Sequence, residues 1–147
     1  MYKRILVATD GSALSKKAVN HAISLAAATG ASLVALKIVP RYPMSFFEGS
    51  ATVSIDSIKA AEAKWSEDAA EQLDAIVATA GASGVKAKAT VVKSDLIAES
   101  IISAAKKNKC ELVVMASHGR KGLKRILLGS EALAVLTHSD VPVLILR

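Results

Sequence analysis

Five short apolar runs, each joined to the next by a stretch of helical periodicity, constrain this chain more than any other feature. Lys3–Thr9, Ser32–Val39, Val85–Val92, Leu112–Ala116 and Val141–Leu146 are rich in Val, Ile and Leu and are punctuated by Gly, Pro, Asp or Ser, the pattern of strands. Between them, apolar residues recur at spacings of three and four. The first such stripe is Leu14, Ala18, Ala22, Leu25 and Ala26, with Ser12 placed to cap it and Gly30 to stop it. The second is Ala61, Trp65, Ala69, Leu73, Ile76 and Ala80, ended by Gly81 and Gly84 and with Trp65 in the core. The third, capped by Ser94, has Ile97, Ala98, Ile101, Ile102 and Ala105 on its inner face, and the fourth opens at Gly129-Ser130-Glu131. Strict alternation of strand and helix predicts an α/β fold: an open five-stranded parallel sheet with helices on both faces and right-handed crossovers. Residues 41–55, with Pro43, Gly49 and Phe46-Phe47, read as a loop or flap.

The length of 147 residues suits one domain over 1–147. No apolar run is long enough to cross a bilayer, and the N-terminus enters a strand without the pattern of a secretory signal, so a cytoplasmic location is expected and no membrane partner. Cys110 is the single cysteine, which rules out an intramolecular disulfide, and its place before an apolar run predicts a plain buried thiol. The net charge of +6 is concentrated in Arg120, Lys121, Lys124 and Arg125. Aromatics make up only 3% of the chain and none interleaves with that cluster, which argues against a nucleic-acid partner.

In open parallel sheets ligands bind beyond the carboxyl ends of the strands, where the strand order reverses. Three features fall there: the turn Thr9-Asp10-Gly11, the turn Ser117-His118-Gly119, and the Gly129-Ser130 step at a helix N-terminus. Glycines let backbone amides approach phosphate oxygens, and a helix N-terminus supplies unpaired N–H groups and partial positive charge. A phosphate site around Gly119, Gly129 and Ser130 is therefore expected. The chain has neither the P-loop pattern nor G-x-G-x-x-G after its first strand, which disfavours P-loop enzymes and dinucleotide dehydrogenases. A phosphoacceptor receiver domain is disfavoured too, because no acidic cluster forms from two strand ends.

Ala116-Ser117-His118-Gly119, nine residues, and then Gly129-Ser130 closely resembles the G-x-x-G, nine residues, G-[ST] motif of ATP-binding universal stress proteins. The likeness extends to Ile5–Ser12, Val113–Arg120 and Val141–Ile145. It implies a Rossmann-like fold of the adenine nucleotide alpha hydrolase type. It also implies ATP with Mg²⁺ as ligand, Asp10 beside the nucleotide and its metal, and Ala8 and Thr9 on the adenine and ribose side. Ile38 or Val39, together with Met115, would flank the base. Gly119, Gly129 and Ser130 would take the phosphates, with Ala116, His118, Arg120 and Glu131 alongside. Two positions depart from the motif: Ala116 replaces its first glycine, and Glu131-Ala132 stand where a hydroxyl residue is frequent.

The resemblance further implies a homodimer through antiparallel pairing of Val141–Leu146, which would cover an otherwise bare apolar edge. The expected role is a nucleotide-responsive stress module. Two alternatives stand beside it, a weak ATPase or autophosphorylating protein and a nucleotide-free structural homodimer. For the former no convincing base or second acid accompanies Asp10.

Overall fold

The computed structural model describes residues 1–43, 54–119 and 128–147. The elements are β1 (Arg4–Ala8), α1 (Ala13–Thr29), β2 (Ser32–Val39), α2 (Ile55–Ala82), β3 (Ala87–Lys93), α3 (Ile97–Lys107), β4 (Leu112–Ala116), α4 (Ser130–His138) and β5 (Val143–Leu146). All five strands run parallel in the order β3-β2-β1-β4-β5. The expected fold is thus the observed one. The chain leaves β1 toward one side and returns on the other, so the order reverses between β1 and β4.

Because side chains alternate across a strand, each central strand feeds two cores. Ile5, Val7, Leu33, Ala35, Leu112 and Val114 pack beneath α1 and α2, against Ala18, Ala22 and Leu73. Leu6, Val34, Leu36, Val113 and Met115 pack beneath α3 and α4, against Ile101, Ala105, Ala132 and Val135. The helices contribute many alanines, which lets them lie close to the sheet.

Three helices stop by one device. After α1, Gly30 at φ 73° turns the chain and Ala31 donates its N–H to the Ala26 carbonyl at 3.0 Å. After α2, Gly84 at φ 75° precedes Val85, whose N–H reaches Ala80 at 2.9 Å. After α3, Lys109 at φ 53° precedes Cys110, whose N–H reaches Ala105 at 2.8 Å. This is the Schellman closure, in which a left-handed residue is followed by an apolar residue that packs back on the helix. Ala31, Val85 and Cys110 are all buried. Val85 therefore belongs to a helix end, and β3 begins two residues later than its alternation suggested. Gly81 lies inside α2 and does not end it.

The closure also explains Cys110. Burial pushes its thiol up from 9.0 to about 11, against a smaller opposing pull from the Arg4 and Lys88 charges. A raised folded-state value stabilises the fold fully below the unfolded value, and that contribution is lost as pH rises toward the folded one. Denaturant melts at pH 8 and 11 are expected to show wild type losing about 2 kcal/mol relative to Cys110→Ala, by linkage.

Two other expectations need correcting. Ser94 does not cap α3: its Oγ accepts from the Leu96 N–H at 3.0 Å, a turn one step earlier, and the N-cap position is Leu96, whose side chain makes no capping bond. Trp65 is half-buried rather than in the core, and stacks on Tyr42 with ring centroids 6.0 Å apart. Residues 44–53 of the 41–55 segment lie outside the described residues, whereas Ile55 already begins α2 and Ser54 caps it through the Ser57 N–H. No helix among the described residues is long and apolar enough to cross a membrane.

Candidate functional site

The carboxyl ends of β1 and β4, adjacent in the sheet, bring the three predicted turns together. Asp10 follows β1, and its Oδ1 accepts from the Ser12 N–H at 2.9 Å, an Asx turn leading into α1. Gly11, at φ 81°, supplies the bend between them. The other carboxylate oxygen, Oδ2, lies only 2.6 Å from where a Cβ on Gly119 would stand. Gly119 is needed there for space, since its φ is not positive.

Gly129 is constrained in the same manner. A Cβ on it would sit 3.0 Å from the Ser117 carbonyl oxygen and 3.4 Å from the His118 Cα, while its N–H donates to that carbonyl at 2.8 Å. The N-terminus of α4 is thereby seated directly on the turn after β4. Gly129 is itself the N-cap, so Ser130 is the first helical residue and the cap position offers no side-chain acceptor. The first intrahelical bond runs from the Leu133 N–H to Gly129, leaving the amides of residues 130–132 outside the ladder, as at any helix start. Near a helix N-terminus such amides suit an anion.

The apolar candidates divide by face. Ala8, Ile38 and Met115 belong to the α3/α4 side, packed with Leu6 and Leu36. Val39 alternates to the other side and is buried, so of the pair Ile38 and Val39 it is Ile38 that shares a face with Met115. Thr9 is buried, and its hydroxyl pairs with that of Ser15 at 3.0 Å and accepts from the Gly11 N–H at 3.2 Å. Its polar atom is thus turned into the start of α1. Ser15 was not anticipated, although a hydroxyl three residues before Ala18 on the buried stripe was a legible signal. Ala116 is buried in β4, does not need a positive φ, and points by alternation to the α1/α2 side.

His118 is half-buried, with its Nδ1 within 3.1 Å of the Ser117 hydroxyl. Ser117, placed in the expected turn but given no role of its own there, is buried; its N–H reaches the Leu146 carbonyl of β5 at 2.8 Å while its own carbonyl holds Gly129. Glu131 is exposed, and its Oε2 accepts from the Ala98 N–H at 3.1 Å. It supplies across space the cap that Leu96 cannot give α3, a contact of a kind worth about 1 kcal/mol. Arg120 and the rest of the basic cluster fall outside the described residues.

Among the described residues no group of three or more His, Cys, Asp or Glu could hold a metal ion alone. Asp10 is a single hard oxygen donor group at the site. That fits Mg²⁺, which is commonly held by one or two carboxylates together with the phosphates of its nucleotide. Asp10 would hold it, and the ion would offset phosphate charge.

Residues 1–147 match the description of the Universal stress protein family, and a 34% identical relative, universal stress protein MJ0531 of Methanocaldococcus jannaschii, aligns with 100% of this chain and 83% of its own length. The chain belongs to the universal stress protein family. Two solved structures make the likeness three-dimensional. One is MJ0577 from the same organism, 28% identical with a TM-score of 0.79, covering 99% of this chain and 96% of its own. The other is a universal stress protein in complex with cAMP, 25% identical with a TM-score of 0.69, covering 99% of this chain and 97% of its own. Within the family frame, the G-x-x-G pattern becomes a statement about space: here the second and third glycines are the ones that a side chain would obstruct.

Proposed function

We propose that this chain is a cytoplasmic, single-domain, adenine-nucleotide-binding regulatory module, taking ATP with Mg²⁺ at the carboxyl ends of its strands. The observation that carries the reading is the close meeting of three chain segments at Gly119 and Gly129, where backbone takes the place of side chains. Ala8, Ile38 and Met115 offer an apolar wall on the α3/α4 side for the base. Gly119, Gly129 and Ser130 receive phosphate, and Asp10 holds the metal. Support also comes from the similar solved protein that binds cAMP. Ala116, buried and with no need of a positive φ, leaves this arrangement unobstructed.

The same reading includes a homodimer through residues 141–146. β5 is an edge strand, and all four of its residues are only half-buried although Val, Leu and Ile compose it. Such an edge calls for a partner.

Nucleotide release on denaturing the purified protein, followed by a melting titration of the emptied protein with ATP and Mg²⁺, tests the binding reading. Saturation at about 100 times the dissociation constant adds about 2.7 kcal/mol, or roughly 10 °C for a domain of this size. No released nucleotide and a flat titration with adenine nucleotides would leave the nucleotide-free dimer as the function.

A further inference from the structure

We propose that the outer edge of β3 takes up an extended acidic segment of a partner protein as a sixth strand. The proposal is independent of the nucleotide site. In a parallel ladder the N–H and C=O of alternate residues point to opposite sides. The Lys86 carbonyl accepts from Leu33 at 2.9 Å and the Ser94 N–H donates to Val39 at 3.0 Å, so the even-numbered residues of β3 face β2. Ala87, Ala89, Val91 and Lys93 therefore turn their backbone donors and acceptors outward, where no strand among the described residues pairs with them. Lys88 and Ala89 on this edge are exposed.

A groove of about 430 Å³ runs beside the edge, between β3 and α3. Val92 packs with the α3/α4 core while Ala87 and Val91 pack with the other, so alternation places Lys88 and Thr90 on the groove side as well. Val92 and Leu96 line the groove toward the carboxyl end of the sheet and Lys107 toward the amino end, with the Thr90 hydroxyl between them. Among the described residues Glu99 is the single acid on its wall. Lys86, Lys88 and Lys107 are exposed at the amino end, away from the carboxyl end where residues 43, 54, 119 and 128 lie.

These features select the occupant. Main-chain bonds hold an added strand whatever its sequence, and pockets for alternate side chains choose it. An acidic side chain meets Lys88 and Lys107, and an apolar one four residues away meets Val92 and Leu96. A second copy fits poorly, because pairing this edge with itself would oppose lysine-bearing strands that contain no acid. β5, at the other edge, carries no charge at all.

The test selects displayed peptides of about eight residues, enough to span β3, on the immobilised intact chain. Enriched peptides are then titrated by fluorescence anisotropy against wild type, Ala89→Pro and Lys88→Glu, with denaturant melts as fold controls. Ala89→Pro deletes an outward N–H and leaves the β2 ladder in place. Lys88→Glu, on an exposed side chain, keeps the test standing should the proline lower stability. Enriched peptides are expected to carry an acid four residues from a Val, Ile or Leu, and to lose at least about tenfold in affinity to each folded variant. No enrichment, enriched peptides without an acid, or affinity indifferent to the variants overturns the proposal. A short single-stranded DNA that binds wild type, fails on Lys88→Glu and ignores Ala89→Pro overturns it in favour of a nucleic acid. An oligomer that Ala89→Pro dissociates overturns it in favour of a second copy.

Discussion

Gly119→Val is expected to lower adenine-nucleotide affinity by at least about thirtyfold while leaving the folded state nearly as stable as before. Its new Cβ would meet Asp10 Oδ2 at 2.6 Å, and the atom it meets is the far end of a side chain. The carboxylate can swing aside, giving up its turn bond to the Ser12 N–H, a local loss of about 1 kcal/mol. What is lost is local: the space against Gly119 and the position of the acid proposed to hold the metal. A loss of about 2 kcal/mol in binding corresponds to that factor. Titration calorimetry against adenine nucleotides, with a denaturant melt as control, separates the two effects. Unchanged affinity would remove this turn from the site. Gly129 would be a poorer choice for the purpose, because its Cβ would press on the Ser117 carbonyl at 3.0 Å, backbone that also bonds to Gly129, so fold and site would suffer together.

The second large effect concerns the edge of the sheet. Pro142 and Leu146 turn their carbonyls toward β4, accepting from Val113 at 3.0 Å and from Ser117 at 2.8 Å. Because the N–H and C=O of one strand residue point to the same side, Leu144 also faces β4, and Val143 and Ile145 face the open edge. A proline at Leu144 would thus damage the sheet itself, whereas Ile145→Pro removes an outward donor and leaves the β4 ladder in place. Ile145→Pro is expected to convert a dimer into a monomer, read by light scattering or sedimentation, with helical content retained. A dimer that survives the substitution would place the contact elsewhere.

The strands and helices were legible because their periodicities are local properties. Ser12 caps α1 through the Ser15 N–H, and Gly30 ends it in the left-handed conformation, as the sequence implied. The meeting of the three turns followed from the alternation of elements and the rule for open sheets, whereas the order β3-β2-β1-β4-β5 is set by which strands pack together and was not legible. What escaped were relations set by packing. Val85 looked like strand because it is apolar, yet its apolarity serves the closure of α2. Trp65 sat on the apolar stripe, yet it is only half-buried and its ring stacks on Tyr42. Glu131 read only as a neighbour of phosphate; its partner lies 33 residues away, a pairing that no spacing rule anticipates. At Gly119 and Gly129 the structure shows crowding where positive φ at a glycine was the alternative, a distinction that depends on packing and is not written in the sequence.

The cap that Glu131 lends to α3 has a bearing on folding order. The Ala98 amide belongs to the first turn of α3, where helix geometry provides no acceptor, and its acceptor arrives only when α4 docks. Between the two helices the chain must first lay down β4, which pairs with β1 at the centre of the sheet. The first turn of α3 therefore gains this acceptor only once α4 is in place. Hydrogen exchange is expected to show the Ala98 amide opening together with the first turn of α4.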